Sequence, residues 1–193
     1  TGVQTCALPI SSDEIAGELE HMEDHLSSAE SMEQAYAALE SKKAEEVYQK
    51  ETTGEITALD IQSLKMIRSG LQILQKASRQ NYFQIPFSVD GEWNIINLSI
   101  LEEEGMTGHI QADVHTRSYG TITATLQWMN THWEGSYSAD SEIGTSLLRR
   151  NASMIDAGFN DITSASDSDA APGTRELYDM SKKLVLLIKH TMQ

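Results

Sequence analysis

The sequence predicts an α+β fold: an N-terminal helical hairpin, an antiparallel β-meander covered on one face by a helix, and a C-terminal helix. Three observations predict it. Apolar residues recur every three or four positions over residues 12–79, the spacing of a helical stripe. The period falls to two between Tyr82 and Tyr137, with turn residues separating the runs. Helical spacing then returns from Ile143 and again from Leu177. These shifts divide the chain into a hairpin over 12–80, an α+β unit over 82–165 and a terminal helix over 174–193.

The first helix is expected from Ser12 to about Gln49. Ile15, Leu19, Met22, Leu26, Ala29, Met32, Tyr36, Leu39 and Val47 form its stripe, with Glu18, His21, Asp24, Glu30, Glu33 and Glu40 opposite. A stripe so thin and rich in Met and Ala needs a partner helix, because propensity alone is marginal in water. Gly54 is a stop. A second helix follows from Ala58 to about Arg79, opened by Thr57 with Asp60 three residues on, a short form of the capping box. Leu59 or Ile61, then Leu64, Ile67, Leu71, Leu74 and Ala77 are its expected apolar positions.

Tyr82 to Val89 reads as an extended run whose Pro86 places it at a sheet edge. Asp90-Gly91 is a hairpin signal leading into Glu92 to Leu101. There Ile96, Leu98 and Ile100 share a face with Asn94, against Trp93, Ile95, Asn97 and Ser99. Glu102 to Gly105 reads as a turn. Ile110, Ala112 and Val114 then alternate with His109, Gln111, Asp113 and His115. Ile122, Ala124, Leu126 and Trp128 alternate with Thr121, Thr123, Thr125 and Gln127. Trp133, Gly135 and Tyr137 close the series. One dry face and one wet face result, as is usual for an antiparallel sheet.

A helix capped by Asp140 or Ser138 is expected to supply the lid through Ile143, Leu147, Asn151, Met154 and Ile155. Gly158 would end it as a left-handed cap. Phe159 to Thr163 reads as a short strand and Ser164 to Gly173 as a linker. The last helix carries Leu177, Met180 or Ser181, Leu184, Leu187 and Ile188. Its Lys182, Lys183, Lys189 and His190 lie where the helix dipole favours positive charge.

Charge restricts the partners. The 193 residues hold 29 acidic and 14 basic side chains, a formal net charge of −15. Such a balance repels phosphate backbones and anionic lipid heads, so neither nucleic-acid binding nor membrane insertion is expected. The string from Thr1 to Ile10 resembles the translation of a short-read sequencing adapter, so residues 1–11 are expected to be artefactual and disordered. The single cysteine, Cys6, would leave with them, and the native start would lie upstream.

Candidate chemistry is sparse. His21 and His25 stand four apart and could share an ion, but a closed ligand set needs more donors. His109, His115 and His132 could cluster on the wet face, giving a small metal-dependent enzyme as one reading. No nucleophile elbow or phosphate loop stands in the sequence. Glu102, Glu103 and Glu104 read as a solvated turn rather than paired catalytic carboxylates. Asn97-Leu98-Ser99 and Asn151-Ala152-Ser153 match glycosylation sequons without fitting surface loops. Trp128 and Trp133 read as core. Trp93 and Ile95 are apolar on a polar face, so they pack under the helices or contact a partner. No cofactor is expected, and the readings favour a non-enzymatic protein.

The span Ser118 to Leu126, with Gly120 opening a strand of alternating residues, resembles the central motif of the flagellar hook-length control C-terminal domain. In that family a second strand follows, then a helix of Leu and Arg residues ending in Gly. Trp133 to Ser138, Ser146-Leu147-Leu148-Arg149-Arg150 and Asp156-Ala157-Gly158-Phe159 stand in that order here. Tyr82 to Phe87 and Glu176-Leu177-Tyr178 are similar to a bacterial family related to hook-length control. Tyr119 stands where the family usually has Leu, and no Pro/Gln-rich ruler segment is visible. The resemblance implies a cytoplasmic protein of the flagellar type III pathway that is itself exported. It would contact the export gate and switch export from hook to filament subunits. It supplies no catalytic residue. The alternative is a structural adaptor that self-associates through its helical hairpin.

Overall fold

Five strands hydrogen-bond to their sequence neighbours in one antiparallel sheet, β1 (Tyr82–Val89), β2 (Glu92–Glu103), β3 (Met106–Thr116), β4 (Gly120–Trp128) and β5 (Trp133–Ala139), in the order β1-β2-β3-β4-β5. The computed structural model describes residues 13–103, 106–164 and 171–193. Residues 1–11, and with them the adapter-like string and Cys6, lie outside the described residues. The expected meander is present. Asp90 (φ 51°) and Gly91 (φ 80°) make the two-residue turn between β1 and β2. Glu102 and Glu103, expected in a turn, extend β2 beyond a register shift after Leu101. Glu104 and Gly105 lie outside the described residues.

The dry face is Phe83, Ile85 and Phe87 on β1, Ile96, Leu98 and Ile100 on β2, Ile110, Ala112 and Val114 on β3, and Ile122, Ala124, Leu126 and Trp128 on β4. All are buried. Its cover differs from the expected one. The following helix breaks in two, α4 (Glu142–Arg150) and α5 (Ala152–Ser164), and these lie towards β4 and β5. The C-terminal helix, α6 (Thr174–Met192), packs against β2 and β3 in the middle of the sheet. Its Leu177, Met180, Ser181, Leu184, Val185 and Ile188 are all buried.

Several local features differ from the expected ones. Ser141, not Asp140 or Ser138, caps α4 by accepting from the Gly144 N–H at 2.9 Å. Ile143 is 62% exposed and is no part of the lid. The break falls at Asn151, whose side-chain amide donates to the Leu147 carbonyl at 3.0 Å. Gly158 is not a left-handed cap. It sits inside α5, and a Cβ built there would stand 2.5 Å from Leu187 Cδ1 on α6. Phe159 to Thr163 is helical rather than a strand, and the Phe159 ring stacks on Tyr137 with centroids 5.8 Å apart.

The N-terminal helical region also breaks. α1 (Asp13–Leu19) is followed by a 3₁₀ turn, Met22–His25, and then α2 (Ala29–Thr53). Ser28 causes the restart: its hydroxyl accepts the Ser31 N–H at 3.0 Å, competing with a continuous helix. The expected apolar positions Leu19, Met22, Leu26, Met32, Tyr36 and Leu39 are buried all the same. α3 (Ala58–Ser78) begins with the anticipated box, Thr57 and Asp60 exchanging side-chain-to-backbone hydrogen bonds. The Lys50 ammonium and these Thr57 bonds hold the Asp60 carboxyl down at about 2. α2 and α3 pair as a hairpin, with Arg68 and Gln75 of α3 reaching Glu40, and Arg79 reaching Glu33.

The hairpin meets the sheet at its first edge. Tyr36 Oη donates to the Gln84 carbonyl at 2.7 Å and accepts the Gln84 N–H at 3.1 Å. Both backbone groups therefore point away from β2, and Pro86 two residues on has the same outward phase. Its missing N–H costs the ladder nothing. Burial pushes the Tyr36 hydroxyl far above its ordinary pKa, keeping it a donor.

Two stability predictions follow from these contacts. Gly158→Val should lower the unfolding free energy by about 1–3 kcal/mol through overpacking against α6. Leu187→Ala in the same chain should recover part of it in urea melts. Tyr36→Phe leaves the Gln84 N–H and carbonyl buried without partners, and about 1–3 kcal/mol should be lost. An unchanged urea midpoint would refute the edge contact.

Candidate interaction surface

The second face of the sheet carries the polar half of each alternation, and the register decides which of those residues meet. Gln84, Asn97, Asp113, Thr123 and Ser138 form one row across all five strands. Tyr82, Ser99, Gln111, Thr125 and Ser136 form the next. Short side chains at such spacing bridge from strand to strand. Asn97 Oδ1 accepts from Tyr82 Oη at 3.0 Å and from Gln84 Nε2 at 3.2 Å. Asn97 Nδ2 donates to Asp113 Oδ2 at 3.2 Å. His115 Nε2 lies 3.4 Å from the same carboxylate oxygen, and its Nδ1 is 2.8 Å from Thr121 Oγ1. Thr125 and Ser136 hydroxyls pair at 2.6 Å. The result is a connected polar track over β1 to β4.

Trp93 and Ile95 stand on this face and are half-buried, with Trp93 packed at the margin of the core. Leu101 shares the face and is 41% exposed. Apolar side chains therefore punctuate the β2 side of an otherwise polar surface. Trp128 and Trp133 belong to the core, meeting edge to face with centroids 5.6 Å apart.

The histidines are dispersed. His109 and His115 lie six residues apart on β3, roughly 20 Å along an extended strand. His132 lies outside the strands, beside Glu134 at 3.1 Å. His21 caps the 3₁₀ turn and His25 ends it, so they do not share an α-helical face. Among the described residues no group of three or more His, Cys, Asp or Glu side chains could hold a metal ion. Asn97, within the first sequon, is buried in β2, and Asn151 is the C-cap of α4.

Gly120 earns its place at the junction of the sheet with α4. Its φ is 69°, and a Cβ there would meet the Asp140 carboxylate and Ser141. Asp140 accepts the Thr121 N–H at 2.7 Å, which holds its carboxyl below the ordinary range. Gly120 and Gly158 are thus both close-packing positions, on different elements and not in one site.

Sequence reasoning missed Lys189. It is 8% exposed and donates to Glu23 Oε2 at 2.7 Å and to the Glu20 carbonyl at 3.0 Å, tying α6 to the N-terminal turn. The pair forms part of the wall of an open cleft of about 590 Å³ that also includes His21, Phe87 and His190. Only three-dimensional proximity could reveal it, since 166 residues separate the partners. Among the described residues no helix is long and apolar enough to cross a membrane.

Asn97→Ala removes the centre of the polar track and should cost about 1 kcal/mol. Hydrogen exchange should speed up at the surrounding β1 and β2 amides, and unaltered exchange would show that the track adds no rigidity. No protein-family model, curated protein or solved structure matches the chain.

Proposed function

We propose that the chain is a non-enzymatic contact module of the hook-length control type, using the open sheet face to engage a component of the flagellar export gate. The observation that carries the contact reading is Trp93 and Ile95, held half-buried beside a preorganised polar track. Interfaces draw most of their energy from a few aromatic or aliphatic anchors, with polar surroundings that exclude water. Hydrogen bonds that already link Tyr82, Gln84, Asn97 and Asp113 reduce the ordering cost of association. The choice of the export gate rests on the resemblance around Gly120 and the strand-strand-helix order that follows it. On this proposal the protein acts in the cytoplasm, where it switches export specificity and is itself an export substrate.

The test is titration of the purified cytoplasmic domain of the export gate, from the same bacterium, against the chain. Saturable binding is expected. Trp93→Ala should weaken it about tenfold or more, equivalent to about 1.4 kcal/mol. Thr123→Arg, on the same face but outside the core, should weaken it without lowering the melting temperature. No binding by the unaltered chain at its highest soluble concentration would overturn the proposal.

A further inference from the structure

α3 buries only part of its apolar surface. Ile67, Leu71 and Leu74 are buried, whereas Leu59 is 75% exposed, Met66 59% and Ile73 61%. The exposure of both Leu59 and Ile61, the latter at 44%, corrects the expectation that one or the other opens the apolar stripe. Leu59, Met66 and Ile73 recur every seventh residue. Ser63, Gly70 and Ala77 fall between them, so the series advances by four, three, four, three and four. At 100° per residue these six positions occupy an arc of roughly 80° along one flank. That spacing is the seam of a coiled-coil helix.

We infer that two copies of this chain pair through this seam, as an antiparallel two-helix contact about a two-fold axis level with Arg68. The order of side-chain sizes along the seam supports this pairing. An isologous contact must be complementary to itself. With the axis at that level, Leu59 meets the partner helix at Ala77, Met66 meets it at Gly70, and Ile73 meets it at Ser63. Every large side chain faces a small one, which lets the helices approach closely and fill the space between them. A parallel pair in register would set large against large and small against small. The charge distribution fits as well. The chain as a whole is at −15, but α3 carries only Asp60 against Lys65, Arg68 and Lys76. Asp60 is engaged by Lys50, and Arg68 by Glu40, within the same copy. Two acidic molecules would thus meet through a helix whose own charge is net positive, so added salt should strengthen the pairing by screening their longer-range repulsion. This pairing does not depend on what the open sheet face binds.

Sedimentation of the full chain over a wide concentration range tests it. The mass should rise from 21.4 kDa towards twice that value. Met66→Glu and Ile73→Glu, both exposed substitutions, should each abolish the rise while leaving the circular dichroism spectrum and melting temperature unchanged. Gly70→Met alone should also abolish it, because large would then face large. Met66→Ala combined with Gly70→Met exchanges the two sizes and should restore the dimer. A monomer throughout the concentration range overturns the inference. So does a dimer that survives Met66→Glu and Ile73→Glu, or a double exchange that leaves Gly70→Met uncorrected.

Discussion

A meander with one apolar face persists only if another apolar surface lies against that face. In this protein the central part of the cover comes from the end of the chain. α6 spans the middle of the sheet, so its packing requires β1 to β5 to be in register when it arrives. Each fully buried Leu or Ile contributes about 1.5–3 kcal/mol. Leu177, Leu184, Val185 and Ile188 place several of these on a single element. The same helix is buried on further sides, because α5 and the N-terminal turn also lean on it. Lys189 and Glu23 fix that second contact. A buried ion pair adds little net stability, but loss of either partner strands a charge, which makes the arrangement sensitive to mispairing.

With the dry face covered, the remaining liabilities of a sheet are its edges. β1 is guarded by the hairpin, with Tyr36 satisfying both outward groups of Gln84 and Pro86 removing one further donor. β5, the opposite edge, is only seven residues long and exposes Glu134, a short and charged strand of the kind that resists pairing with another chain. Attaching α2 and α3 to an edge leaves the second sheet face open. It also leaves one flank of α3 uncovered, since that helix turns only its Ile67 and Leu71 side inward.

Much of this was legible in the sequence, for reasons that particular residues make clear. Period-two alternation and Asp90-Gly91 located the strands because burial on a single face leaves a direct mark on residue order. Thr57 and Asp60 marked the start of α3 because a capping box is a local interaction. The broken helices were less legible. Ser28 and Asn151 stop a helix through one hydrogen bond each, and both residues also occur inside helices. Gly158 was misread because a glycine beyond an apolar run has two uses, a left-handed cap or a close approach, and only the position of Leu187 separates them. An apolar stripe likewise records that a helix is covered without recording by what, so the role of α6 stayed hidden. For the candidate surface, the outward direction of Trp93 and Ile95 followed from alternation. The Tyr82-Asn97-Asp113 track did not, because it depends on the pairing register of three strands.

The track bears on how such a surface can discriminate. Asn97 and Asp113 are already hydrogen-bonded to their neighbours, so part of their desolvation penalty is met within the protein. A partner then gains little by offering new charges to this region. What it can exploit is the shape around Trp93 and Ile95, whose positions are set by β2 at the core margin. Selectivity by contour rather than by charge suits a protein at −15, for which attraction through charge alone would favour any basic surface. The alternation that folds the sheet thus also determines the kind of contact its free face can make.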